Sequence, residues 1–119
     1  MRIVLPVAAV VIVSFAFLLP GDPITNTKWD GGEGLVVQFT KSDTVKLIKE
    51  NKLVASALYK VQDSVLIWRD YIKSPANCDT SIRGKYVYKI KDDVLTFRVI
   101  SDRCEYRADV IQTLVLIKK

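Results

Sequence analysis

After Gly34 the apolar residues of most segments alternate with polar ones. That is the period of a strand with one buried face, not the three-to-four spacing of a helix. Leu35, Val37 and Phe39 share a face against Gln38 and Thr40, and Val45 and Leu47 alternate with Thr44 and Lys46. Leu53, Ala55, Ala57, Tyr59 and Val61 form the next stripe, followed by Val65 to Trp68, which is apolar on both faces. Tyr86, Tyr88 and Ile90 alternate with Lys85, Lys89 and Lys91; Leu95, Phe97 and Val99 oppose Thr96 and Arg98; Leu114 to Ile117 closes the chain. The breaks are Lys41-Ser42-Asp43, Glu50-Asn51-Lys52, Gln62-Asp63-Ser64 and Lys91-Asp92-Asp93, polar triplets of the kind tight hairpins use. Connections this short cannot cross a sheet end. The expected fold is therefore all-β: a small antiparallel up-and-down barrel of seven to eight strands. The one long connection is Tyr71 to Arg83.

A single helix is expected near the C-terminus. Asp102-Arg103-Cys104-Glu105 has the spacing of a capping box, in which Asp102 accepts from the third helical N–H and Glu105 reaches back. The spacing predicts a short helix over Arg103 to Ile111, with Tyr106, Val110 and Ile111 on one face. It would plug one end of the barrel or lean on its side.

The N-terminus is of another kind. Ile3 to Leu19 is apolar except for Pro6 and Ser14, follows Arg2, and ends at Pro20-Gly21-Asp22-Pro23. Residues 1–21 read as a secretory signal peptide or an uncleaved membrane anchor, and either reading exports the rest. Residues 22–34, rich in Pro, Gly, Asn and Thr, are expected to be a linker, leaving 35–119 as the barrel domain. Met1 to Leu19 supplies 16 of the apolar residues, so the chain's 50% apolar content overstates the exported part. From Asp22 onward 43 of 98 residues are apolar, ordinary for a globular domain, with 17 basic against 13 acidic side chains.

The chain has no histidine and two cysteines. A histidine base, a histidine triad and a cysteine-rich zinc module are excluded. No motif places a pair of carboxylates for acid–base work, and Asp102, Glu105 and Asp109 have helical rather than calcium-loop spacing. No enzyme activity, metal or cofactor is expected. In an exported chain Cys78 and Cys104 most simply form a disulfide; two buried free thiols and a catalytic thiol are the competing readings. A bridge closing these 27 residues would stabilise the domain by roughly 3.5 kcal/mol in the chain-entropy model.

Three segments carry a resemblance: Gly84-Lys85-Tyr86-Val87-Tyr88, Leu95-Thr96-Phe97, and Asp102-Arg103-Cys104-Glu105-Tyr106-Arg107. In order and spacing they resemble a group of small exported bacterial lipocalin-like proteins of the calycin type, over about thirty residues. In that group the C-terminal half has a Gly-x-Tyr-x-aromatic strand, a Leu-Thr-Phe/Leu strand and an Asp-x-Cys-x-x-Arg turn, often with an earlier cysteine, the place Cys78 fills. The resemblance implies a compact barrel outside the cytoplasm but no defined ligand. Lipocalins begin with Gly-x-Trp, whose Trp closes the barrel against a later Arg. Here Trp29 is preceded by Thr27 where the glycine would stand, and Arg107 would be its stacking partner.

Two functions are compatible with such a barrel. One is binding of a small apolar or amphipathic ligand inside it, with Ala55 and Ala57 leaving room and Tyr59, Trp68, Tyr86 and Tyr88 lining the site. The other is a solid barrel acting as an envelope interaction or inhibitor module through the 71–83 loop and the basic strand Arg83, Lys85, Lys89 and Lys91, facing an envelope protein or anionic surface. Nucleic acid is not an expected partner, and membrane contact is expected only through the N-terminal segment.

Overall fold

The computed structural model describes residues 22–71 and 78–119. The leader expected over 1–21 and the middle of the 71–83 loop lie outside the described residues. Eight strands form one closed antiparallel barrel in which every strand pairs with its neighbours in sequence and β1 pairs with β8. The order is β1 (Thr27–Gly32), β2 (Leu35–Phe39), β3 (Thr44–Lys49), β4 (Lys52–Gln62), β5 (Val65–Asp70), β6 (Arg83–Lys91), β7 (Val94–Ser101), α1 (Glu105–Thr113) and β8 (Val115–Lys118). The all-β up-and-down barrel is thus what the alternation predicts. Closure leaves no open strand edge.

The polar breaks are the hairpin turns. Glu50 and Asn51 have φ of 49° and 66°, and Asp92 and Asp93 have 52° and 64°. Left-handed backbone at both central residues defines the type I′ turn, whose twist matches that of paired strands. Asn and Asp tolerate that region better than other side chains.

Strand alternation sends the connections to two opposite ends. One end holds the β1–β2 and β3–β4 turns, the β5–β6 loop and α1; we term it the helix end. The other holds the β2–β3, β4–β5 and β6–β7 turns together with Asp22–Asn26, and is the hairpin end.

Three local expectations are corrected. The segment read as a linker contains β1, and before it Ile24 is fully buried in the core; a run of Gly, Asn and Thr masked a strand anchored by Trp29 alone. The helix starts two residues later than expected, at Glu105, with Cys104 at its cap and no side-chain cap bond. Asp102 accepts only the Cys104 N–H locally, at 2.9 Å, because its carboxylate is engaged elsewhere. Finally, Tyr106 is 71% exposed and Val110 faces water, whereas Arg107, Ala108 and Ile111 are buried. A charged residue turned inward rotates the helix away from its apolar face.

Candidate functional site

The inward face of each strand builds the core: Trp29, Val37 and Phe39, then Val45, Ala57 and Tyr59, Leu66 and Trp68, Tyr86, Leu95 and Phe97, and Leu116. Ile24 and Ile111 enter from the two ends, and Leu35, Leu47, Val61, Tyr88, Ile90, Val99 and Leu114 pack around them. Ala57 lies directly opposite Val45 on one side and Asp70 on the other. The Phe39 and Tyr59 rings meet edge to face with centroids 5.1 Å apart, a favoured aromatic geometry. Leu53 leaves its stripe. A register shift at Leu47/Ile48 carries the β3–β4 hairpin past the barrel rim, and Leu53 is 59% exposed.

The residues considered as ligand-lining therefore share the interior. Ala57, Tyr59, Trp68 and Tyr86 are buried, and Ala55 and Tyr88 are half-buried. Their polar atoms are taken. Tyr59 donates its hydroxyl to the Thr40 carbonyl, Tyr86 to the Asp102 carboxylate, and Tyr88 to the Asp63 carbonyl at 2.9 Å. Burial, with the Asp102 hydrogen bond and charge behind it, pushes the Tyr86 phenol far above its ordinary range. Burial likewise raises Tyr59 and Tyr88. The Trp68 ring N–H donates to Asp70 at 3.2 Å.

At the helix end these side chains meet a charged cluster. Arg107, 6% exposed, donates to Asp102 from Nε and Nη2, both at 2.8 Å, and from Nη2 to the Ile82 carbonyl at 3.0 Å. The forked pair is the geometry that guanidinium and carboxylate favour. Nη1 lies 3.6 Å from Asp70, an ion pair without a hydrogen bond. Asp70 also accepts the Cys78 N–H at 2.9 Å, and Cys78 is joined to Cys104 with their Cα atoms 6.0 Å apart. Burial alone would raise the Asp102 carboxyl, but hydrogen bonds from Arg107, Tyr86 and the Cys104 N–H hold it below the ordinary carboxylate range. Gly84 belongs to the same design, since a Cβ there would run into the Asp102 carboxylate and the Tyr86 ring. Held this way, Asp102 is the charge partner of Arg107.

No protein-family model, curated protein or solved structure matches the chain at a significant level. Its chemistry has to be read from its own residues.

The expected stacking of Arg107 on Trp29 is not formed; two carboxylates at the helix end capture the guanidinium instead. Trp29 points its ring N–H the other way, to the Thr27 hydroxyl at 2.7 Å, and Thr27 donates onward to the Ile24 carbonyl. Asp22 organises that segment. Its carboxylate accepts the Ile24 and Thr25 N–H groups at 2.8 and 2.7 Å and the Thr25 hydroxyl at 2.8 Å. These bonds outweigh the upward effect of burial and lower its pKa.

The outer face carries a cluster of basic residues. In-register pairing sets Leu58 beside Arg69 and Arg69 beside Arg83, and in the next row Lys60 beside Ile67 and Ile67 beside Lys85. These residues line an outer depression of about 600 Å³, which Asp43 and Gln62 close toward the hairpin end. The strand pattern exposes the basic residues of β6. The contributions of Lys60 and Arg69 become visible only once the register aligns three strands. Asp70 was missed for a similar reason, since its partner Arg107 is distant in sequence; Asp22 and Ile24, which interact locally, were passed over because their segment reads as a linker.

Proposed function

We propose that this domain is a solid-barrel interaction module of the envelope which engages an anionic partner through its outer face, and not a carrier of a small apolar molecule. The observation that carries this reading is the occupied interior. The inward side chains pack on one another, and the hydroxyls of Tyr59, Tyr86 and Tyr88 are bonded to the chain's own groups. An eight-stranded barrel is just wide enough for side chains to fill. The disulfide is compatible with an oxidising, exported location, and the apolar run Ile3 to Leu19 behind Arg2 supports the same reading.

The test is a titration of the full chain, in nonionic detergent, with a fluorescent fatty-acid probe. The expected result is no saturable one-to-one binding beyond that of detergent alone. Saturable binding that Ala57→Trp abolishes, with the fold retained, would refute the solid-barrel reading.

A further inference from the structure

On the outer face β6 presents Arg83, Lys85, Lys89 and Lys91, all exposed, in one line. Alternate residues on a strand are about 6.8 Å apart, so the line runs for roughly 27 Å. Neighbouring strands reinforce it. Arg69 on β5 pairs with Arg83, Arg98 on β7 pairs with Val87, and Lys60 on β4 lies two strands from Lys85. No outward position of β4 to β7 holds an acidic residue. Among the described residues, both ion pairs use Arg107 and neither involves a cation of this stripe. Like charges directly opposite each other destabilise a sheet, so Arg69 and Arg83 face one another at a cost that an anion between them would remove.

We infer that this stripe is a binding track for a linear, acidic polysaccharide, one bearing carboxylate or sulfate groups along its length. The inference rests on the reading of the domain as an interaction module. Three features select this partner. The barrel is closed, so an acidic peptide finds no strand edge to extend by main-chain pairing. The cations follow one strand, and the barrel wall curves away on either side, which suits a chain better than the plane of a bilayer. The track interleaves its charges with Ile67, Val87 and Leu58 rather than aromatic rings, so bases would have no stacking platform along it. Arginine binds carboxylate and sulfate with paired N–H groups, and the flanking lysines add charge without demanding a particular sugar.

The test uses the full chain in nonionic detergent and a labelled heparin oligosaccharide, with polyglutamate and single-stranded DNA as competitors. Arg83→Gln/Lys85→Gln is expected to weaken heparin binding at least about tenfold and to flatten its salt dependence by about two counterions. Arg69→Gln alone should act in the same direction. Lys28→Gln/Lys118→Gln removes the same charge from exposed positions on β1 and β8 and should change affinity less than about threefold. Heparin should outcompete both other polyanions. Equal loss in the two double variants, tighter binding of polyglutamate or DNA, or no heparin binding would overturn the inference. If heparin fails while the fatty-acid titration stays negative, only the partner class is wrong; a saturable fatty-acid site would overturn the interaction reading itself.

Discussion

The two ends of the barrel are closed by different means. At the hairpin end three tight turns, the Asp22 carboxylate on backbone amides, and two tyrosine hydroxyls on the Thr40 and Asp63 carbonyls close the rim over Ile24. Every one of those bonds joins short-range neighbours or an adjacent hairpin. At the helix end, a long loop and a helix must be brought together, and the means are a disulfide and an ion-paired arginine. Backbone geometry is enough where the connection is two to four residues long. Where it is long, its greater loop entropy is countered by a covalent bond and a buried charge network. The helix end should therefore be the more sensitive to charge changes, and sensitive to redox changes to which the hairpin end, held by the Asp22 carboxylate and backbone turns, is largely indifferent.

The largest expected effect is from Arg107→Ala, which leaves Asp102 and Asp70 in the wall without a cation. Urea unfolding should show a loss of about 3–5 kcal/mol. Replacing both cysteines by serine should cost roughly 3.5 kcal/mol and loosen the loop while leaving the hairpin end protected in hydrogen exchange. Ile24→Ala tests the opposite end and should cost about 2–4 kcal/mol through the cavity it leaves, with no change in disulfide reducibility. A loss of protection at the helix end in that variant would show that the two closures are coupled.

The smallest effect is on the pH dependence. Asp102 titrates below the ordinary value of 3.8 in the folded state, so its stabilisation is complete above that value and lost as pH falls through the folded pKa. Tyr86 titrates above its ordinary 10.0, so its protonated form favours the fold and stability falls as pH rises past about 10. In Arg107→Ala the acid limb of the stability profile should shrink. What remains belongs to Asp22, whose pKa is also lowered, and Asp22→Asn should remove it. An acid limb unchanged by Arg107→Ala would contradict the assignment of its Asp102 part to the helix end.

The same contrast explains which parts of the fold were legible in the sequence. Alternation and turn chemistry are local signals, so the β2 to β8 stripes, the four polar turns and barrel closure could be read before any coordinates. The pairing of Cys78 with Cys104 was legible because there were only two cysteines. Asp102 was noticed for the wrong reason: its spacing to Glu105 matches a capping box, but Arg107, five residues on, competes better for the carboxylate once both are buried. Arg107 in turn pairs with Asp70, 37 positions away in sequence and unmarked by any motif. The apolar stripe of the helix misled because hydrophobic periodicity cannot weigh one buried ion pair against two exposed apolar side chains. Of the residues read as a possible ligand lining, Ala57, Tyr59, Trp68 and Tyr86 are buried and Ala55 and Tyr88 half-buried. Whether Ala57 leaves a void or completes a packed layer depends on Phe39, Val45 and Tyr59, which come from three different strands.

Equilibrium unfolding of Ala57→Trp, beside the parent chain, tests the filled interior most directly. A packed core has no room for an indole at a position 2% exposed, so stability should fall by about 1–3 kcal/mol or more, with the near-ultraviolet signature of the core disturbed. A variant as stable as the parent, with its new ring in a rigid apolar environment, would mean that the barrel holds an open cavity.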